Sequence, residues 1–215
     1  MVIYHPNILN KHIAPDITDF TNALIPDIAA THSESSHWLS NHFLNSVVGE
    51  LGGKKYKEQD SIYVMNAVLR TQTAFSLYHQ ARESTLDYLK DNNPHNPKLR
   101  QYYKAITEWE SCFLNLHIFV DVLKKWTGRK VFVEGDNSPE DRAYSIANKI
   151  KHWAGDIKNN KHQVNDSIPL WLTNTGFQTR EHRLTYSELS TLIDGAAKVC
   201  QGLSSRDPTL IGGIE

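Results

Sequence analysis

Two long stretches of helical apolar spacing, joined by one short breaker, constrain the fold of this chain most strongly. The first runs from about Asp60 to Leu89 and contains neither glycine nor proline. The second follows "NNPHNP" (Asn92–Pro97) and reaches Trp126, with apolar residues every three or four positions. We predict that Asn96 caps this second helix and that Pro97 is its first residue. Because the connection is short, the two helices should form an antiparallel hairpin, which is the start of a helical bundle.

Three further helices are predicted from their start and stop signals. One runs from about Ser35 to Leu51, the second begins at "SPED" (Ser138–Asp141), and the third begins at the capping box "TYSE" (Thr185–Glu188). The apolar residues expected to be buried on the Ser35–Leu51 helix are Trp38, Leu39, Phe43, Val47 and Leu51, and those on the Asp60–Leu89 helix are Ile62, Met65, Leu69, Phe75, Leu86 and Leu89.

The predicted fold class is therefore all-α, an antiparallel bundle of about five helices. The residues "IPLWLTNTGFQ", with β-type side chains around an Asn-Thr-Gly turn signal, also allow a small β-hairpin near 168–184. We expect one domain over 31–204, an irregular segment over 1–30 with a short helical pattern at Ile17, Phe20 and Leu24, and a frayed tail over 205–215.

Composition narrows the classes of function. The net charge is −1, so a nucleic-acid site would have to be a local basic patch. The sequence has no apolar run of about 18 residues and no signal peptide, which predicts a cytoplasmic protein without a membrane span. Cys112 and Cys200 both fall in predicted helices, where we expect a reduced, buried pair.

Metal and other cofactors are not expected. "ESSH" (Glu34–His37) matches the Glu-x-x-His pattern of di-iron bundles, but a second copy is missing from the sequence. His32, His37 and His42 are five residues apart, a spacing that spreads them around a helix. A histidine from another helix could still join one of them, which is the minor alternative. Phosphate-loop, dinucleotide and nucleophile-elbow motifs are also missing.

The most chemically suggestive stretch is "AYSIANKIKHW" (Ala143–Trp153). Ser145, Asn148 and His152 share one side of the predicted helix, because residues three or four apart lie on the same face. The imidazole is a candidate acid or base, and the amide can orient a hydroxyl or a phosphate. The candidate basic residues for holding phosphate are Arg142, Lys149 and Lys151. The alternative interpretation is a solvated helix face carrying an ordinary histidine.

Within this stretch, "SIANKIKHW" (Ser145–Trp153) resembles the signature helix of HEPN domains, all-α bundles found in many prokaryotic toxin and defence systems. Active members of that family carry an arginine, often followed by Asn, Asp or His, and then a histidine after four to six intervening residues. Asn148 and His152 stand where the polar residue and the final histidine would be. The family arginine would fall at Ala147, and Arg142 lies outside the family spacing.

The resemblance, which by helix order covers about Asp60 to Leu203, implies a dimeric, metal-independent endoribonuclease fold. In active members the histidine helps to activate the ribose 2′-OH, and the arginine stabilises the developing negative charge. Ala147 therefore implies a degenerate member that binds RNA, a nucleotide or a protein partner, in a defence or toxin–antitoxin setting. Two alternatives stay open: an active endoribonuclease using His152 and Asn148 with Arg142 or Lys149, and an interaction bundle without a ligand site.

Overall fold

The computed structural model describes residues 5–51, 58–90, 92–94, 96–161 and 167–205. Its helices are α1 (Pro6–His12), α2 (Trp38–Leu51), α3 (Glu58–Lys90), α4 (Leu99–Thr127), α5 (Pro139–Lys158) and α6 (Tyr186–Ser205), with 3₁₀ turns at Ala29–His32 and Ser35–His37. The strands β1 (Trp171–Leu172), β2 (Gly176–Gln178) and β3 (Arg183–Thr185) form one antiparallel sheet in that order. The predicted helical bundle with a small hairpin is confirmed, and β3 adds a third strand.

Helices α3 and α4 pack against each other along their whole length. Residues early in α3 contact residues late in α4, and residues late in α3 contact residues early in α4. This is the antiparallel pairing expected from the short connection. Hydrogen bonds between the two helices include those from Trp126 Nε1 to Asp60 at 3.0 Å, from Arg70 to Asn115 at 3.2 Å and from Trp109 Nε1 to Thr85 at 2.9 Å. Among the described residues, no helix is long and apolar enough to cross a membrane.

The predicted start of α4 is wrong by two residues. The helix begins at Leu99 with Lys98 as its N-cap, so neither Asn96 nor Pro97 is in the predicted position. The carbonyl of Pro97 accepts a hydrogen bond from Leu99 N at 2.9 Å, and that of Lys98 accepts one from Tyr102 N at 3.1 Å. The turn after Pro97 therefore delays the helical hydrogen-bond pattern.

The centre of the core is a cluster of aromatic rings that joins three elements. The ring of Phe177 on β2 lies 4.7 Å from Trp109 and 5.1 Å from Phe113, both on α4. It also lies 4.9 Å from Tyr186, the first residue of α6. All four side chains are buried, so the sheet is held against the bundle by burial of apolar surface.

The buried face of α2 differs from the predicted one. Trp38 is buried, but Phe43 is 60% exposed and Val47 is 42% exposed. His42 is buried in their place, and Asn45 donates a hydrogen bond to the carbonyl of Ser204 on α6 at 2.7 Å. The helix has apolar residues on more than one side, so periodicity alone did not select the face that packs.

The same ambiguity affects the first half of α3. Ile62, Met65 and Leu69 were expected in the core, yet they are 58%, 43% and 37% exposed. The buried face instead carries smaller or β-branched residues such as Val64 and Val68. These side chains allow the closer approach of α6, with which α3 makes extensive contact.

The N-terminal segment packs on the bundle in a way the sequence did not indicate. The predicted helical pattern at Ile17, Phe20 and Leu24 is wrong, since these residues are not helical and Leu24 is 91% exposed. Asp16 has a φ of 56°, which interrupts helical geometry, whereas the true helix, α1, lies upstream. Ile17 and Phe20 are nevertheless buried, and the Phe20 ring stacks on Tyr88 at 5.7 Å.

Both cysteines, Cys112 and Cys200, are free and buried. Gly52 and Gly53, which we expect to end the Ser35–Leu51 helix, and the tail after Ser205 lie outside the described residues.

We expect Gly176→Ala to destabilise the protein by about 2 kcal/mol or more, because the tight approach of β3 leaves no space for a methyl group. A Cβ at Gly176 would collide with the carbonyl oxygen of Leu184 and lie 2.6 Å from Cα of Thr185. Chemical denaturation measures the change. Gly155→Ala is the matched control, because a Cβ there meets no atom within 4 Å and should stabilise α5 by about 0.5–1 kcal/mol. Equal effects of the two substitutions would contradict this account.

Candidate functional site

The start of α5 is fixed by hydrogen bonds from its own N-terminal residues. Ser138 caps the helix as predicted, and its Oγ accepts a hydrogen bond from Asp141 N at 3.2 Å. The buried carboxylate of Asp141 accepts hydrogen bonds from Gly135 N at 2.9 Å and Asn137 N at 3.1 Å. These bonds hold the preceding loop in place, where Asn137 has a φ of 59°. The helix that carries the candidate residues therefore starts at a well-defined position.

Arg142 joins α5 to β3 and α6. Its Nη2 lies 2.6 Å from Glu188 Oε1, and it donates further hydrogen bonds to the carbonyls of Asn137 and Arg183. Glu188 is also the acidic residue of the predicted capping box, which is confirmed: it accepts from Thr185 N at 2.8 Å, and Glu188 N donates to Thr185 Oγ1 at 3.1 Å.

The charge of Glu188 is stabilised in the folded protein. Burial acts to raise the pKa of its carboxyl, but hydrogen bonds from Arg142 and Thr185 outweigh burial and lower the pKa. The guanidinium of Arg142, predicted to bind a ligand, is thus engaged in holding α5 against the sheet and α6.

A polar cleft of about 340 Å³ lies between the outer side of α5 and the turn that joins β2 to β3. We call it the α5 cleft. Three predicted residues line it, namely Ser145, Asn148 and Lys149. The other lining residues are Asp156, Lys161, Glu181 and His182. The structure therefore brings part of the predicted site together with an imidazole and a carboxylate from the hairpin.

Lys149 and Asp156 form an ion pair along one wall of the α5 cleft. Lys149 Nζ lies 2.7 Å from Asp156 Oδ2 and 5.7 Å from the centre of the Trp153 ring. The hydrogen bond from Lys149 lowers the pKa of Asp156, and the nearby charges of Lys161 and His152 act in the same direction. Asp156 is therefore ionised at neutral pH and compensates the charge of Lys149.

His152 and Lys151 are exposed on α5 but are not among the residues that line the cleft. His152 lies one turn after Asn148, on the side of the helix that faces away from the core. The predicted polar line Ser145–Asn148–His152 is thus accessible along α5, and its first two members are half-buried within the cleft.

Ala147 is fully buried, with 0% of its surface exposed, and belongs to the hydrophobic core. This is the position where the HEPN resemblance would place the arginine. A side chain at this position points toward the core, away from the α5 cleft. The neighbouring Ile146 is also fully buried, so two consecutive positions of α5 form its packing face.

Sequence analysis missed the contribution of the hairpin turn to the cleft. Glu181 lies 29 residues after His152, the last residue of the predicted site, and no spacing rule connects a helix to so distant a turn. The backbone amides of Glu181 and His182 donate to Thr179 Oγ1 at 3.3 and 3.0 Å, which fixes the shape of the turn. The bond from Arg142 to the carbonyl of Arg183 then holds the turn beside α5.

The histidines near α2 are not arranged as metal ligands. His32 Nε2 lies 2.8 Å from Asp194 Oδ1, and His42 is buried. Among the residues that the structure describes, no group of three or more His, Cys, Asp or Glu side chains converges on one point.

Comparison of the chain with models of protein families, with curated proteins and with solved structures finds no match.

We expect Ala147→Arg to destabilise the protein by about 3 kcal/mol or more, because it places a charged side chain in the packed core. Ala154→Arg is the matched control on the same helix, since Ala154 is exposed, and should change stability by less than about 0.5 kcal/mol. Urea denaturation of the two variants gives both values. Wild-type stability of Ala147→Arg would contradict the burial of this position.

Proposed function

We propose that this chain is a HEPN-like helical bundle without nuclease activity that binds RNA along the outer face of α5. The observation that carries the proposal is the accessible line of Ser145, Asn148 and His152 beside exposed lysines. Backbone phosphates are bound by lysines, and hydroxyl and amide groups position the strand.

The charge of this region supports the proposal. Residues 149–161 contain four lysines and one aspartate, although the whole chain has a net charge of −1. Lys149 is neutralised by Asp156, whereas Lys151 and Lys158 are exposed. Lysines near the C-terminal end of a helix also interact favourably with the helix dipole, and Lys158 stands in the last turn of α5.

The missing arginine supports binding without cleavage. A charged group that stabilises the transition state contributes several kcal/mol to catalysis, and Ala147 supplies none. Arg142, the nearest arginine on α5, is held by Glu188 and two backbone carbonyls. A metal-independent endoribonuclease using His152 and Asn148 stays the alternative, and His182, which lines the α5 cleft, offers it a further imidazole.

We expect the double substitution Lys151→Gln, Lys158→Gln to weaken binding of a labelled 12-nucleotide single-stranded RNA by about tenfold at low salt. Removing two phosphate contacts should also reduce the slope of log K against log salt by about 1.4. Fluorescence anisotropy at salt concentrations from about 50 to about 200 mM measures both quantities. Both the weaker affinity and the smaller slope follow from the loss of counterion release at two phosphate contacts.

The matched control for RNA binding is Arg100→Gln. Arg100 is exposed on α4 and lies roughly 25 Å along that helix from His117. The ring of His117 contacts that of Tyr144 on α5, so Arg100 is far from α5. An unchanged affinity in the lysine variant, or an equal loss in Arg100→Gln, would refute RNA binding at α5. Cleavage of the RNA by wild-type protein in the presence of a chelator, lost in His152→Ala, would favour the nuclease alternative.

We also propose that the chain forms a homodimer, as the resemblance implies. Apolar side chains are exposed on α2 and α3, two helices that pack against each other. A concentration of exposed apolar residues is typical of protein–protein interfaces. They are Phe43, Leu44, Val47 and Val48 on α2 and Ile62, Met65 and Leu69 on α3.

We expect the wild-type protein to have twice the mass of the 24.5 kDa chain in light scattering, and the double substitution Leu44→Asp, Val48→Asp to give the monomer mass. Charged groups at these exposed positions would be costly only if another chain covered them. Leu24→Asp is the control, because Leu24 is 91% exposed and lies outside this group. A monomeric wild-type protein would exclude the dimer.

The remaining parts of the proposal rest on the resemblance and on composition. The defence or toxin–antitoxin setting, with a protein partner as a further ligand class, comes from the HEPN resemblance alone. A cytoplasmic location is proposed because Cys112 and Cys200 are free thiols, as in proteins of a reducing compartment.

A further inference from the structure

The α5 cleft has the size of a site for one small polar group. Its volume of about 340 Å³ lies at the lower end of the range of small-molecule sites. One wall is α5 and the other is the turn between β2 and β3, and the hydrogen bond from Arg142 to the carbonyl of Arg183 holds the two walls together. A cleft of this size admits a single flat ring system, whereas several linked nucleotides would have to stay outside it.

The charges inside the α5 cleft balance. Two lysines, Lys149 and Lys161, line it together with two carboxylates, Asp156 and Glu181. Lys149 Nζ lies 2.7 Å from Asp156 Oδ2, and the charge of Lys161 also helps to lower the pKa of Asp156. A phosphate in the cleft would therefore meet both carboxylates as well as the lysines. An uncharged polar group is the occupant that these charges favour.

The uncharged polar side chains of the α5 wall are those of Ser145 and Asn148, which lie one turn apart. Both residues are half-buried, and among the described residues neither side chain takes part in a hydrogen bond. Their polar atoms do not belong to the fully enclosed atoms that lack a partner, so they keep accessible surface. The amide of Asn148 can therefore offer both its donor and its acceptor to an occupant of the cleft.

A carboxamide pairs best with a group that presents a donor beside an acceptor. The adenine base does so, because its N6 amino group can donate to the amide oxygen while its N7 accepts from the amide nitrogen. The carboxylate of Glu181, on the opposite wall, also favours an amino group over the carbonyl oxygens of uracil. His182 is half-buried on that wall, and histidine rings are among the side chains on which unstacked RNA bases stack.

We propose that the α5 cleft takes up one unstacked adenine base of a bound RNA and that Asn148 is the residue that determines this preference. The inference rests on the proposed binding of RNA along α5 and adds base recognition to it. Asn148 and Lys151 are about 4.5 Å apart along the helix axis. A base can therefore enter the cleft while the neighbouring phosphates contact the exposed lysines outside it.

The test uses three labelled 12-nucleotide RNAs that differ at one central position. The first contains only uridine, the second has a central adenosine, and the third has a central purine ribonucleoside, which lacks the amino group of adenosine. We expect the wild-type protein to bind the adenosine RNA at least about fivefold more tightly than either of the others, as one bidentate base contact implies. Fluorescence anisotropy at low salt measures the three affinities.

Asn148→Ala should bind the three RNAs with nearly equal affinity, close to that of the wild-type protein for the uridine RNA. Alanine favours the helix, so α5 should be retained, and circular dichroism checks this. Asn22→Ala is the matched control, because Asn22 is exposed in the N-terminal segment and does not line the cleft, and it should keep the wild-type preference. The double substitution Lys151→Gln, Lys158→Gln should weaken binding of all three RNAs by the same factor.

The outcomes separate base recognition from RNA binding. Equal affinities of the wild-type protein for the three RNAs would overturn base recognition, and RNA binding at α5 would still stand if the lysine variant bound more weakly. A preference for adenosine that persists in Asn148→Ala, or that is lost equally in Asn22→Ala, would overturn the role of Asn148. If the wild-type protein binds none of the RNAs, both the proposed function and this inference are wrong.

Discussion

The packing of Phe177 against Trp109, Phe113 and Tyr186 is the contact on which the arrangement of the domain depends. The α3–α4 hairpin can form from local sequence signals, but nothing local places the sheet or the last helix on it. Phe177, inserted between rings of α4 and α6, places the sheet there, while α6 also packs against α2 and α3. The close approach at Gly176 follows from this contact, because β2 must lie deep enough for the ring to reach the core.

The position of α5 depends on polar contacts as well as on buried apolar area. Ala147 and Ile146 pack into the core, while the opposite side of the helix carries the residues of the α5 cleft. Between these two sides, Arg142 and Asp141 connect the helix to the sheet and to the preceding loop. One helix therefore lines two cavities of opposite character: the polar α5 cleft and, through Ala143 and Tyr144, a mainly apolar cavity between α4, α5 and α6.

Much of the fold was predictable from the sequence, and the reasons are local. Ser138 and the Thr185–Glu188 box form hydrogen bonds within one helical turn, so their role can be recognised from adjacent residues. The exposed faces of α2 and α3 were not predictable, because apolar residues surround both helices and tertiary contacts decide which side is buried. For the site, the helix face that holds Ser145 and Asn148 followed from residue spacing, whereas Glu181 and His182 depend on how a distant turn is positioned. The commitment of Arg142 to Glu188 joins residues 46 positions apart, which no periodicity could indicate.

The Arg142–Glu188 pair also has a consequence for how the α5 cleft would meet a ligand. Its two walls come from different parts of the chain, and this pair, with the carbonyl of Arg183, links one wall to the other. The entropy of bringing them together is lost when the chain folds, before any ligand arrives. The cleft is consequently preorganised for an occupant. Its shape depends on the first turn of α6, because Glu188 in that turn pairs with Arg142.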